Sequence, residues 1–589
     1  MEVQPGSCVA KSGEDGTLRV TAIYSDGSQR DVTGRTIFQS SDSPIVAIDA
    51  TGRFQAGPLA GEATLMARYM DKIATCRVVI PLADEVPDEF YARLPRHNFI
   101  DGLVLQKLKE LRLTPSPPVD DAKFMRRVHL DVIGRLPAPA EVQAFLADGS
   151  PQKRQTLVDN LLRRPEYADY WANQWMDLLR PNPYRVGIKA VLNYDSWIRD
   201  AFRRNQPYDQ FVRELLTAQG STWRNGAVTL FRDRRSPEEI TTLASQLFLG
   251  IRLECAKCHH HPFEKWSQHD FYSFAAYFAR IGRKGADLSP PISGGEEMLL
   301  VSSRGEARHP LTDEVLAPRP LFGEAPSGDP DQDLRQSLSA WITSDENPFF
   351  RHAVANRVWA DLMGRGIVEP VDDLRTTNPP SNGPLLEALG DYLRDQRYDL
   401  QQLIRAICNS YVYGLDSLPG ERNVADTTNY SRHYRQRLRA EVLLDAVNDV
   451  TGVPSSFAAM PAGSRATQLW THRVDSTFLD TFGRPDPNQD PPCERSKEST
   501  VTQALHLMNA AELQRKLTSD EGRAARLAAS DLPPDAMLEE LYLAAYARLP
   551  AAREREVAHR VFTAAESRRR AVEELLWSLL NSPEFQFED

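Results

Sequence analysis

The segment Cys255-Ala256-Lys257-Cys258-His259 sets two thiols and an imidazole within five residues of each other. Thiols separated by two residues are spaced to add to the two vinyl groups of one porphyrin, and a histidine directly after the second reaches the iron from the same side. With six cysteines and 12 histidines in 589 residues, chance yields this pattern roughly 0.001 times per chain of this composition, so its presence is not accidental. Other chemistry uses the same atoms. Thiolate and imidazole suit zinc, with Cys255, Cys258 and His259 or His261 as ligands. However, no second C-x-x-C or H-x-x-x-H completes a conventional zinc pattern. A dithiol or disulfide between Cys255 and Cys258 is the third reading, and the absence of a thioredoxin-like βαβ pattern around it weakens the redox version.

The motif runs on through His260-His261-Pro262-Phe263-Glu264-Lys265-Trp266, more than a minimal haem-attachment site needs. His261 is a candidate for hydrogen bonding beside the ligand set, for lining a substrate site, or for the plain surface. His269, Met298 and His309 are candidates for the opposite face of an iron. A Met or second His there favours electron transfer, and an open position favours ligand chemistry.

The elements around the motif read as follows. Ser236-Pro237-Glu238-Glu239 is a helix start, since Ser can cap, Pro suits the first turn and acids favour the positive end. The apolar run Ile240–Leu249 ends at Gly250, a helix stop. Residues 1–82 read as all-β, with Leu18–Tyr24, Ala63–Tyr69 and Ala74–Ile80 as strands between turn signals, spaced as in an Ig-like sandwich. Residues 83–98 are a linker. Residues 99–283 are helical and carry the motif; Trp171 and Trp175, one turn apart, read as core. Residues 284–330, rich in Gly, Pro and Ser, read as a linker or small β insert, and 331–589 as a second helical domain. The expected fold class is therefore an N-terminal Ig-like β-sandwich followed by a large, mainly α-helical body. Cys8 and Cys76 fall near the first and last strands, where a disulfide and two separate buried thiols are equally compatible with the spacing.

Composition narrows the function classes. Hydrophobic residues are 41% and charged residues 26%, ordinary for a soluble globular chain. A net charge of −11 argues against non-specific nucleic-acid binding. No run of 18 apolar residues offers a transmembrane helix. The first residues show no signal peptide, and since haem attachment belongs to an oxidising compartment, a removed signal is the expectation.

Longer stretches carry a family likeness. These are Leu113–Pro118, Arg126–Pro137 (with Asp131), Gln206–Phe211 and Cys255–Trp266 in the first helical part. In the second they are Asn347–Phe349, Asn356–Trp359, Gly364–Gly366, Pro379–Ser381 and Cys493–Arg495. The chain resembles the planctomycete cytochrome-type family of secreted proteins, in which a bacterial Ig-like (Big) domain precedes a pair of cytochrome-associated domains. It departs from the family at Pro491-Pro492-Cys493, where Cys-x-Cys is common, and at Pro380-Ser381-Asn382-Gly383, where Pro-Ser-His-Pro is common. The resemblance implies export to the periplasm or cell surface and one haem c, held by Cys255 and Cys258 with His259 as the proximal iron ligand. Arg357 and Arg495, as motif residues, are expected either to pair with carboxylates in the fold or to line a pocket near the haem that takes an anionic group. The expected function is electron transfer or haem-based redox chemistry outside the cytoplasm, with a redox partner protein or small molecule that the sequence does not name. The alternatives are a zinc or other metal enzyme using the Cys/His cluster, acting on surface polysaccharide, and a non-catalytic surface scaffold.

Overall fold

The computed structural model describes residues 1–70, 72–261, 264–285, 295–324, 332–458, 460–486, 495 and 499–589. The N-terminal 80 residues form strands in three small sheets. One sheet is ordered Ser7–Val9, Lys72–Ile80, Gly61–Tyr69, Ile37–Ser40; the second is Glu2–Gln4, Arg19–Ile23, Gln29–Asp31; the third is Asp15–Thr17, Arg53–Ala56, Val46–Ile48. Alternation drives this arrangement. Val20 and Ala22 point inward while Arg19 and Ile23 face solvent, and Phe54 and Ala56 are buried between exposed Arg53 and Gln55. Phe54 and Ala56 close over Leu18, Val46, Leu65, Val78 and Ile80, and Val20 and Ala22 over Val32 and Ala67.

From Asp88 the chain is mostly helical. Helix Phe99–Leu111 opens on an Asn98/Asp101 capping box, and helix Asp121–Ile133 is capped by Asp120 and stopped by Gly134. Trp171 and Trp175, on helix Pro165–Leu179, are both buried, and the Trp171 indole donates to the Val132 carbonyl. The region expected to be a linker or insert contains a small antiparallel sheet. Ile281–Gly285 pairs with Glu297–Val301, which also pairs with Gly220–Ser221, and Ala307–Arg308 pairs with Val315–Leu316.

The two helical parts share one hydrophobic core, which runs without a break from Ile100 through Phe248 and Trp359 to Phe585. They are laced together over long sequence distances. The guanidiniums of Arg126 and Arg127 donate to the carbonyls of Phe585, Phe587 and Asp589, and strand Phe587–Glu588 pairs with Gln436–Arg437. No helix among the described residues is long and apolar enough to cross a membrane.

Candidate functional site

Helix Pro237–Leu249 delivers the chain to the motif. Its start is a full capping box: Ser236 Oγ accepts the Glu239 N–H at 3.1 Å, and the Glu239 carboxylate accepts the Ser236 N–H at 3.1 Å. It stops at Gly250 with φ +65°, where a side chain would also collide, since an added Cβ would stand 2.8 Å from the Leu374 side chain. The Gly250 carbonyl accepts the Leu374 N–H at 2.7 Å, so the helix stop is also where the second helical part docks.

The motif follows on the tight turn Glu254–Lys257. The Cys255 carbonyl accepts N–H groups from Cys258 at 3.3 Å and His259 at 3.2 Å, so all three chemical residues sit on one turn. Ala256 is buried and anchors the turn, whereas Cys255, Cys258, His259 and His260 are exposed. The Lys257 carbonyl accepts from Gln268 Nε2 at 3.2 Å and the Tyr272 hydroxyl at 3.4 Å. His259 Nδ1 lies 2.7 Å from the His260 carbonyl. A carbonyl can only accept, so Nδ1 carries a proton and Nε2 is the ring atom left to ligate. Ligation of iron or zinc through Nε2 is compatible with this arrangement. The donor set therefore fits covalent haem: two thiols accessible on one turn, followed by an imidazole whose Nδ1 is held by a backbone carbonyl.

A cavity of about 370 Å³ opens on the residues that flank the turn, 250–252 before it and 261 and 264–266 after it, without being lined by Cys255, Cys258 or His259. His261, Glu264 and Trp266 line it from the motif side, and Asp373, Arg375 and Thr376 from the second helical part. Glu264 Oε1 accepts the Thr376 N–H at 3.1 Å, and Asp372 accepts from Gln246 Nε2 at 2.7 Å and pairs with Arg252. Burial pushes the Glu264 carboxyl up, against the pull of the Thr376 N–H and Arg375. Burial and then Arg375 push His261 down, so it is neutral at pH 7. The segment 372–378 was not identifiable as part of this site from sequence. Its residues lie more than 100 positions from the motif, and only the flanking Gly364–Gly366 and Pro379–Ser381 stretches drew notice.

Of the two expectations for Arg357 and Arg495, carboxylate pairing or a pocket near the motif, neither arginine lines the cavity that His261 and Glu264 border. Arg495 lines a different cavity of about 210 Å³, together with Asp131, Gln174, Arg437 and Glu588. Its guanidinium is held by two buried carboxylates, Asp177 at 2.9 Å and Glu441 at 2.7 Å. Its cationic neighbours, Arg495 first, hold Asp177 well below the usual carboxylate range despite burial. Those N–H groups are engaged by the chain's own acids, which is the pairing alternative rather than an open anion pocket. Arg357, half-buried on helix Pro348–Met363, lines neither cavity. His309 Nδ1 sits at 3.3 and 3.4 Å from the backbone nitrogens of Leu311 and Thr312, with its ring tilted against that of His269, centroids 4.9 Å apart. Met298 lies in strand Glu297–Val301. Cys408 is buried in the helical body, and Cys493 lies outside the described residues.

A second chemical cluster was not singled out as a site from the sequence. Asp131, His433 and Glu588 are all buried and offer ligand atoms within 4.8 Å of one another. The Tyr413 hydroxyl donates to Asp131 Oδ2 at 2.6 Å, and His433 Nε2 donates to the Leu362 carbonyl at 3.1 Å. Burial pushes both carboxyls up, Glu588 to about 7, and keeps His433 neutral. The charges of Arg126 and Arg127 act on the same carboxyl pair. A metal ion there would have to tolerate two guanidiniums that donate to the carbonyls of the last strand, so this cluster reads as a fastening between the helical parts.

Two family models match the chain. Residues 99–283 match PSCyt2, described as a protein of unknown function (DUF1549), and residues 334–562 match PSD1, also a protein of unknown function (DUF1553). A stretch of 80 residues is 39% identical to an S-layer-related protein of Niallia circulans, covering 14% of this chain and 5% of that protein. The chain thus carries, in tandem, the PSCyt2 and PSD1 domains, the paired planctomycete cytochrome-associated domains.

Proposed function

We propose that this is an extracytoplasmic c-type haem protein. Cys255 and Cys258 would carry the porphyrin through thioether bonds, and His259 would ligate the iron through Nε2. The observation that carries the reading is the joint placement of two exposed thiols and an imidazole held through Nδ1 on one anchored turn. When bound, haem c supplies a one-electron couple, or an open iron site if its far side is unligated. The chain's own part is to hold the turn through Gln268 and Tyr272, to hold His259 through Nδ1, and to provide the adjoining cavity. There, neutral His261 and the elevated Glu264 carboxyl can hold or pass a proton beside a bound small molecule. The likeness of one stretch to an S-layer-related protein supports association with the cell surface. The strand pattern of residues 1–80 supports an Ig-like (Big) module in front.

The test is production of the chain with a secretion signal in a host with active cytochrome c maturation, followed by optical spectrum and intact mass. A Soret band that stays with the denatured polypeptide, and disappears in the Cys255→Ala/Cys258→Ala variant, is the expected result. A protein free of porphyrin but carrying stoichiometric zinc would overturn it in favour of a Cys/His metal site. Neither porphyrin nor metal would favour a scaffold.

A further inference from the structure

Another cavity, an open groove of about 530 Å³, shares no lining residue with the motif-flanking cavity or with the Arg495 cavity. It forms where the two helical parts meet. The starts of helices Phe99–Leu111 and Lys153–Leu162 supply one side, and the end of helix Leu400–Cys408 with the turn after it supplies the other. The seam is fixed by long-range bonds. Asn98 Nδ2 donates to the Ala406 carbonyl at 2.7 Å, and Arg405 Nε donates to Asp159 at 2.6 Å. Three kinds of group line the groove. The half-buried rings of Phe99 and Tyr392 lie 5.3 Å apart, tilted by 31°. The side-chain amides of Gln152, Gln155 and Asn409 make no hydrogen bond among the described residues. Arg154 and Arg405 bring two guanidiniums. Arg154 gives Nε to Asp121 at 2.8 Å and Nη2 to the Val119 carbonyl at 2.9 Å, and Arg405 gives only its Nε. Arg154 Nη1 and both terminal nitrogens of Arg405 have no hydrogen-bond partner among the described residues.

Charge decides the sign of the ligand. Carboxylates line both cavities described above, yet no aspartate or glutamate lines this one. In a chain of net charge −11, a groove with two guanidiniums and no acid favours an anion. A guanidinium fork matches a carboxylate or a sulfate. The amides decide what surrounds the anion. Each both donates and accepts, as a hydroxyl does, so three of them suit a polyhydroxyl ligand. The aromatic rings offer π faces, whose negative charge attracts the C–H face of a saturated ring. The volume is in the range that takes a ligand of several rings and exceeds what a bare inorganic anion needs. An extended peptide fits less well. The backbone of Asn409, Ser410 and Gly414 is spent on local and seam bonds, which leaves no free strand edge there. We infer that this groove binds an acidic oligosaccharide, with a sugar ring against Phe99 and Tyr392, hydroxyls on Gln152, Gln155 and Asn409, and a carboxylate or sulfate on Arg405. The lining holds no carboxylate pair of the kind that hydrolyses glycosides, so the role is binding and not cleavage. The groove's chemistry is independent of haem, and the two readings can fail separately.

The full chain is passed over an immobilised panel of oligogalacturonate, oligomannuronate and sulfated chondroitin oligosaccharides. Neutral cello- and malto-oligosaccharides and a hexaglutamate peptide complete the panel. Affinities of the retained members are then measured by calorimetry. The expected result is retention of acidic glycans and not of neutral ones, weakening as salt is raised. Preference for uronates or for sulfated members identifies the anion. Arg405→Ala should weaken binding about tenfold and Gln155→Ala about threefold, the ranges for a charged and a neutral hydrogen bond. Arg405→Ala also breaks the Asp159 pair. Gln155 is exposed and makes no bond in the fold, so Gln155→Ala decides the matter if Arg405→Ala does not fold. Gln106→Ala, exposed on helix Phe99–Leu111 but outside the groove, should change nothing. Retention of no acidic glycan, equal retention of neutral ones, or binding unmoved by both groove variants overturns the inference. Hexaglutamate bound in the same groove, with its affinity lowered by the same variants, overturns it in favour of an acidic peptide.

Discussion

The motif turn and the Arg126–Arg127–Asp131–Glu588 cluster make opposite use of polar side chains. The cluster is buried and dense in charge: its guanidiniums donate to backbone carbonyls and the Tyr413 hydroxyl donates to Asp131, while Glu588 Oε1, His433 Nδ1 and Arg126 Nε find no hydrogen-bond partner among the described residues. The turn is exposed, and its two thiols and the His259 Nε2 are uncommitted among the described residues, with only its backbone anchored. Perturbed titration and burial therefore mark the structural fastening in this chain, while lone pairs that solvent can reach mark the candidate chemistry. Strongly shifted groups are often taken as signs of function, yet ion networks built for folding shift them equally.

The sharpest way to break this contrast is Arg127→Ala. It strips donors from the carbonyls of Leu415 and Asp589 and leaves the Asp131–Glu588 pair less compensated. We expect a loss of about 3–5 kcal/mol in urea unfolding, the range for removing one partner from a buried charge network. Any folded fraction should still attach haem. A variant as stable as the parent, or stable but unable to take haem, would undo the division of roles.

Gly250→Ala strains the φ +65° stop and presses on Leu374, so we expect about 1–2 kcal/mol of destabilisation. Because that contact also shapes the cavity wall, hydrogen exchange should rise in residues 372–378. Unchanged exchange there would separate the helix stop from the docking.

The third prediction concerns pH. Glu588 is raised from an ordinary 4.5 to about 7, so the folded state binds its proton more tightly than the unfolded state. Its contribution is fully present below about pH 4.5 and fades as pH rises through 7. Glu588→Gln cannot ionise and should flatten this part of the stability profile between pH 4.5 and 7. Parallel profiles for parent and variant would show that the pair holds no proton.

The smallest effect is expected at the turn itself. Cys255→Ser and Cys258→Ser should each shift the stability of the haem-free chain by no more than about 0.5 kcal/mol, as exposed substitutions do. Both should abolish two-point porphyrin attachment. A large loss of stability would reveal a structural duty for the thiols that the turn's exposure does not suggest.

Local signals were legible in the sequence wherever the physics is local. Ser236, Pro237, Glu239 and Gly250 predicted a helix that starts and stops where it does, and strand alternation predicted the β unit. The C-x-x-C-H spacing identified the turn. What sequence could not supply is pairing at a distance. The sequence leaves Arg495 open between carboxylate pairing and an anion pocket, because nothing near it names Asp177 or Glu441 as its partners. Segment 372–378 has no motif of its own and gains its place at the cavity only through the Leu374–Gly250 contact and the Asp372 bonds to Gln246 and Arg252. The Asp131–Glu588 pair similarly depends on a strand that returns from the far end of the sequence.

That returning strand imposes an order in time. Arg126 must wait for a carbonyl 461 residues further along the chain. At about 5–20 residues per second, synthesis leaves it without that partner for roughly 25–90 s. We hypothesise that the helical body stays open until its last residues are made, which on the extracytoplasmic reading proposed above is a state suited to threading through an export channel. Stalled chains that end before residue 585 should then be cut by protease within 99–283, and protection of that region in such chains would show that it closes alone.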